Sequence, residues 1–191
     1  MRRLGVLGCV LLASAGAAAA AVAATIEDRD DSAGAVDLAS ARAAHNRITD
    51  ELVYVVETHD PLDPRSLLRS ENGPPGSICV NAWTTRTPGE AAPNYEVCIT
   101  TARDGELHAS VARNGTGGRV RRVGAADVEQ KSQRTLELRI DPDDFRRPRA
   151  YRWTVQAVAF SEGCAATTGC EDFIPDRPRT SRTVLRTPRA R

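Results

Sequence analysis

The chain has 191 residues, 41% of them hydrophobic and 27% charged, with a formal net charge of +1. This is the composition of one globular domain, and it excludes a disordered tail protein, a collagen-like fibre and a polytopic membrane protein. All the aromatic residues fall between Tyr54 and Phe173, which places the core in that interval; only Lys131 among the 26 basic residues is a lysine, a usage typical of GC-rich bacterial genomes.

Arg2 and Arg3 precede an uncharged run from Leu4 to Ala24 that closes on Val22-Ala23-Ala24. A basic start, an apolar stretch and small terminal residues read as a secretory signal over residues 1–24, cut after Ala24. A retained anchor is the competing reading, since the run is long enough to span a bilayer. Its strongly apolar part stops near Leu12, which favours cleavage. Val6-Leu7-Gly8-Cys9 has the form of a lipid-attachment motif, but the apolar run continues past Cys9 where a lipidated cysteine would end it. The remaining chain is near neutral and has no general attraction for nucleic acid or for membranes. Residues 25–33 read as an acidic, flexible leader.

From Val36 onward short alternating runs are broken by turn residues. The strands expected are 36–42, 51–58, 77–84, 94–102, 106–112, 118–123, 133–140 and 150–160. Many short strands at this spacing imply a sandwich or barrel, and the reading taken is an all-β, two-sheet antiparallel sandwich of about eight strands, Ig-like or jelly-roll-like, over residues 34–175. In Leu136-Glu-Leu-Arg-Ile140 the aliphatic residues point one way and Glu137 and Arg139 the other. Trp153 falls on the apolar side of Tyr151 to Phe160 and is expected in the core. Residues 176–191 hold six arginines against one aspartate and read as a loose tail, in which Thr183-Val-Leu185 could add an edge strand.

Four cysteines follow the signal: Cys79, Cys98, Cys164 and Cys170. An even count in an exported chain predicts disulfides. Cys164 and Cys170 are close enough for a local clasp, which leaves Cys79 with Cys98; a zinc site fits neither spacing, and no histidine lies near either pair. With Cys79 opposite Cys98 in antiparallel strands, Ile78 faces Ile99, Val80 faces Val97 and Ala82 faces Tyr95 on one apolar side, so disulfide and hydrophobic pattern agree on one register. The following turn contains Asp104-Gly105. A two-residue loop would set polar faces against apolar ones, whereas a three-residue loop, Arg103-Asp104-Gly105, aligns Val97 with Val111 and Ile99 with Ala109. That loop needs Gly105 at positive φ in a bulge.

The opening Val36-Asp37-Leu38, the Tyr95-Glu-Val-Cys-Ile strand running into Asp104-Gly105, Leu136-Glu-Leu-Arg-Ile140 with Asp141-Pro142, Tyr151-Arg-Trp-Thr-Val155 and the closing Cys170-Glu-Asp172-Phe-Ile-Pro175 together resemble a group of exported bacterial β-sandwiches. Many of these are actinobacterial, and they look like distant relatives of the DOMON and carbohydrate-binding-module sandwiches. The resemblance covers about residues 34–175. It implies a sandwich fold and, by analogy, a carbohydrate or cell-envelope ligand, or haem or metal carriage. Asn81-Ala-Trp-Thr-Thr-Arg-Thr-Pro88 stands where such relatives often carry an Asp-rich stretch, so the carboxylates a calcium ion needs are missing there.

The sequence lacks a Gly-x-Ser-x-Gly elbow, a His-Glu-x-x-His pair and a P-loop. His45, His59 and His108 are dispersed. Asp141, Asp143 and Asp144, and likewise His59-Asp60-Pro-Leu-Asp63, read as turn acids rather than cation ligands. Asn114-Gly115-Thr116 matches a glycosylation sequon but reads as a turn. Trp83, placed by the register on the outer face, is the candidate for ligand contact. The expectation is a secreted, monomeric, non-catalytic module, binding or structural at the envelope, with no cofactor, no metal and no nucleic-acid partner. A hydrolase assembled from loops and a haem or metal carrier are the alternatives.

Overall fold

The computed structural model describes residues 25–32, 34–68, 75–84, 92–160, 164–165, 169–176 and 180–185. The signal segment 1–24 and most of the loop after Trp83 lie outside the described residues. The fold is all-β and antiparallel. Its strands are β1 (Ile26–Glu27), β2 (Leu38–Asn46), β3 (Glu51–Thr58), β4 (Ser77–Trp83), β5 (Tyr95–Thr101), β6 (Leu107–Asn114), β7 (Val120–Ser132), β8 (Thr135–Ile140), β9 (Ala150–Ala159), β10 (Cys170–Ile174) and β11 (Ser181–Val184).

These eleven strands form one sheet in the order β1-β2-β3-β8-β7-β6-β5-β4-β9-β10, with β11 also on β9. The expected eight-strand, two-layer sandwich is therefore corrected: the sheet is continuous and curls into a nearly closed barrel. The physical reason is β7. At 13 residues it is twice the length expected. Its first half pairs with β6, Ala109 opposite Ala126, and its second half with β8, Asp127 opposite Arg139. One bent strand thus hydrogen-bonds the two would-be layers together. A register shift between Val111 and Ala112 marks the bend, as expected where a bulge raises local twist.

The meander β4-β5-β6 has the predicted register. Cys79 faces Cys98, Ile78 faces Ile99, Val97 faces Val111 and Ile99 faces Ala109. Both predicted disulfides are present, Cys79–Cys98 and Cys164–Cys170. The loop Arg103–Gly105 is closed by the Gly105 N–H donating to the Ala102 carbonyl at 2.9 Å, with Gly105 at φ 89°. A Cβ at Gly105 would meet nothing within 4 Å, so only backbone strain penalises a side chain there. Gly105→Ala should cost about 1–2 kcal/mol, and Gly105→Asn clearly less, because asparagine visits the left-handed region more readily. Urea midpoints of the two variants check this order.

The interior is packed by alternate residues of the long strands other than β7, whose inward positions are only half-buried, and its centre is aromatic. Tyr54 on β3 and Trp153 on β9 meet edge to face, ring centres 5.6 Å apart, the arrangement favoured by ring quadrupoles. The Tyr54 hydroxyl donates to the Tyr151 hydroxyl at 2.6 Å. Burial raises the pKa of both phenols well above the usual value, so both stay neutral. Phe145 stacks against Tyr95 and Tyr151 at 5.0 and 5.8 Å. It is carried by a 3₁₀ turn, Pro142–Phe145, in which Asp141 Oδ1 accepts the Asp143 N–H at 2.8 Å. The leader and tail both contribute strands: Ile26 lies opposite Ala41, and Thr183 opposite Tyr151.

Candidate functional site

Alternation along β4 decides where Trp83 goes. Ile78, Val80 and Ala82 are buried against the core, so Cys79, Asn81 and Trp83 take the outer face. Trp83 is half-buried at the end of β4. Its register partner on β9 is Arg152, whose partner on β11 is Arg182. An indole and two guanidinium groups therefore stand in one row across three adjacent strands. The row forms because Thr183 points inward, accepting the Trp153 indole N–H at 2.9 Å, which turns its neighbour Arg182 outward.

Beside this row lies an open cleft of ≈ 540 Å³, lined by Trp83, Thr84, Pro148, Arg149, Arg152 and Arg182 among others. A second depression of ≈ 330 Å³ shares Thr84 and Pro148 with it and adds Asn94, Arg113, Asn114 and Arg146. The two make one groove across an end of the barrel. No acidic residue is among the described residues lining either half. Asn114 Nδ2 donates to the Pro93 carbonyl at 3.1 Å and to Glu96 Oε1 at 2.8 Å, while its Oδ1 is buried without a partner. Both donor bonds anchor the amide, which fits the turn reading of Asn114-Gly115-Thr116 better than a glycosylation acceptor. The groove is thus lined by guanidinium groups and a flat ring.

The remaining singled-out residues lie elsewhere. His45 Nε2 is 2.8 Å from Asp50 Oδ1, and Arg147 Nη2 donates to Asp50 Oδ2 at 2.6 Å. The Arg147 guanidinium, and after it His45, holds the Asp50 carboxyl below the usual carboxylate range. Arg147 also pairs with Asp143, so this network pins the β2–β3 turn to the 3₁₀ turn carrying Phe145. The Asp144 carboxylate packs against Gly124, where a Cβ would displace it. Asp63 caps the 3₁₀ turn Pro64–Leu67 by accepting the Arg65 N–H at 2.9 Å. His108 is on the exposed β5–β6 hairpin with Asp104 and Glu106. His59 lies at the end of β3 beside Asp37, its backbone N–H donating to the Asp37 carbonyl at 2.9 Å. Cys79–Cys98 sits on the outer face of the same sheet as Trp83, and Cys164–Cys170 clasps the approach to β10.

The outer-face position of Trp83 follows from the sequence; its two arginine neighbours do not follow equally. Arg152 was legible as an outward residue of its strand; Arg182 was not, because nothing local shows that the tail pairs with β9. Among the described residues no helix is long and apolar enough to cross a membrane. Compared with known proteins, the chain matches no family model, no curated protein and no solved structure.

Proposed function

We propose that the protein is an exported, non-catalytic module that binds an anionic polysaccharide, such as an acidic polymer of the cell envelope, in the groove headed by Trp83. The observation that carries this reading is the Trp83–Arg152–Arg182 row. A sugar ring stacks on an indole face, and guanidinium groups recognise carboxylate or phosphate with paired donors. Two adjoining open depressions suit a chain rather than a small enclosed ligand. Two disulfides fit an oxidising, extracytoplasmic compartment. An interior filled by Trp153, Tyr54, Tyr151 and Phe145 favours surface binding over carriage of a haem within the barrel.

The test is binding of polygalacturonate, with neutral dextran and single-stranded DNA as comparison polymers. Polygalacturonate should bind best, and Trp83→Ala should weaken it by about tenfold, the size of one lost aromatic anchor. Arg182→Gln should weaken binding and flatten its dependence on salt. Equal affinity for dextran, preference for DNA, or a Trp83→Ala variant that binds like wild type would each overturn the reading.

A further inference from the structure

β2 and β10 approach each other at the open seam of the barrel without a backbone ladder between them among the described residues. What joins them there is a carboxylate. Asp172 Oδ2 on β10 accepts the Leu38 N–H of β2 at 2.6 Å, and its Oδ1 accepts the Phe173 N–H at 2.7 Å. The leader then folds its own acids onto the same place. β1 pairs with β2, the Asp28 N–H donates to the Ala39 carbonyl at 2.8 Å, and the chain returns through Asp31 to Asp37.

Donor oxygens of Asp31, Asp37 and Asp172 lie within 4.8 Å of one another. Acidic clusters on a surface are ordinary, but this one is largely inside: Asp37 and Asp172 are each only 6% exposed. Asp37 Oδ1 is buried with no hydrogen-bond partner, as is Asp28 Oδ2, and the side chain that meets the Asp37 carboxyl is another acid, Asp30. A carboxylate withdrawn from water without a compensating donor is costly, and adjoining like charges add to the cost. Two orphaned carboxylate oxygens among clustered acids at one seam therefore call for a positive charge that satisfies them together.

We propose that this seam is a calcium site, with Asp31, Asp37 and Asp172 as ligands and Asp28 beside them. Every ligand is a carboxylate oxygen, the donor set of a hard cation, and calcium accepts six to eight oxygens in flexible geometry. A divalent cation converts mutual repulsion into shared coordination. It also gives the leader a function, since the ion ties the acids of the 28–37 segment to β10 and closes the sheet where hydrogen bonding does not. The site is distinct from the Trp83 groove, and its failure leaves the polysaccharide reading intact.

The experiment is calorimetric titration of the EDTA-treated protein with calcium chloride, with thermal melts in EDTA and in calcium. Saturable uptake is expected with Kd of about 10⁻⁴–10⁻³ M, the range of extracellular calcium modules, and calcium should raise the melting midpoint by mass action. Asp31 is exposed, so Asp31→Asn leaves the fold intact while weakening uptake. Asp37→Asn should abolish the calcium-induced shift, yet melt in EDTA no lower than wild type, because it removes an uncompensated buried charge. That second readout separates loss of a ligand from loss of the fold. His59→Gln should leave calcium uptake unchanged. Absence of calcium uptake, variants that respond like wild type, or preferential zinc uptake lost in His59→Gln would overturn the proposal.

Discussion

Trp153→Ala should be the most damaging single substitution in the protein, costing about 3–5 kcal/mol. Three separate effects add. The indole is among the largest fully buried side chains, 1% exposed, so its removal leaves a cavity that the hydrogen-bonded strands around it cannot collapse to fill. Its edge-to-face contact with Tyr54 is lost, and with it a link between strands three and nine across the interior. Its indole N–H also leaves Thr183 Oγ1, which loosens β11. Against a total stability of about 5–15 kcal/mol this is a large fraction, and the melting midpoint should fall by about 10 °C. Thr183→Val keeps the indole but removes its hydrogen bond and the one Thr183 makes with Tyr151, leaving a buried N–H without a partner at about 1–3 kcal/mol. Equilibrium urea unfolding measures both. If Trp153→Ala costs under about 1 kcal/mol, far below a normal cavity penalty, the aromatic centre described here is not where stability resides.

Thr183→Val has a second consequence, because the Trp153–Thr183 hydrogen bond holds the short strand β11 that carries Arg182 into the row. Core and site are coupled through the alternation of one short strand. The variant should therefore weaken polygalacturonate binding although residue 183 does not line the groove.

The parts of the fold legible in the sequence are those where two local signals constrain each other. In β4-β5-β6 the cysteines and the hydrophobic alternation specify one register, and Gly105 specifies the loop length that carries it to the next strand. Trp83 followed from the same parity argument. The strand β7 was cut short for the opposite reason. Past Gly124 its inward positions are small or only half-buried, and Asp127, Glu129 and Lys131 give it a polar appearance. Because the closure of the barrel depends on that strand, missing it made a continuous sheet look like two layers. The seam acids were illegible for another reason: Asp172 and Leu38 are 134 residues apart. Asp28 and Asp31 belong to a stretch whose composition alone reads as leader. Only closure of the sheet brings these carboxylates together and buries them, just as only pairing of β11 with β9 brings Arg182 to Trp83.

Removing the Cys79–Cys98 bridge by the double substitution Cys79→Ala, Cys98→Ala should cost about 3 kcal/mol, whereas Cys164→Ala, Cys170→Ala should cost about 2. The order follows from chain entropy. The first bridge spans 19 positions and the second 6, and the unfolded chain gains more freedom when the longer loop is released. Position in the sheet reinforces the order. Cys79 and Cys98 are directly opposed, their Cα atoms 4.0 Å apart, on a strand pair in the middle of the ladder, while Cys164–Cys170 clasps a peripheral turn. Cys79 is only 8% exposed, so the paired substitutions are a cleaner test than reductant, which must reach the sulfur. The first double variant should also weaken groove binding, since β4 carries Trp83 three residues beyond the ladder position that register holds at Val80. The second should leave binding unchanged. Equal unfolding midpoints for the two double variants would mean that loop length does not govern their contributions. A first variant as stable as wild type would mean that hydrogen bonding and packing hold the β4–β5 register without the bridge.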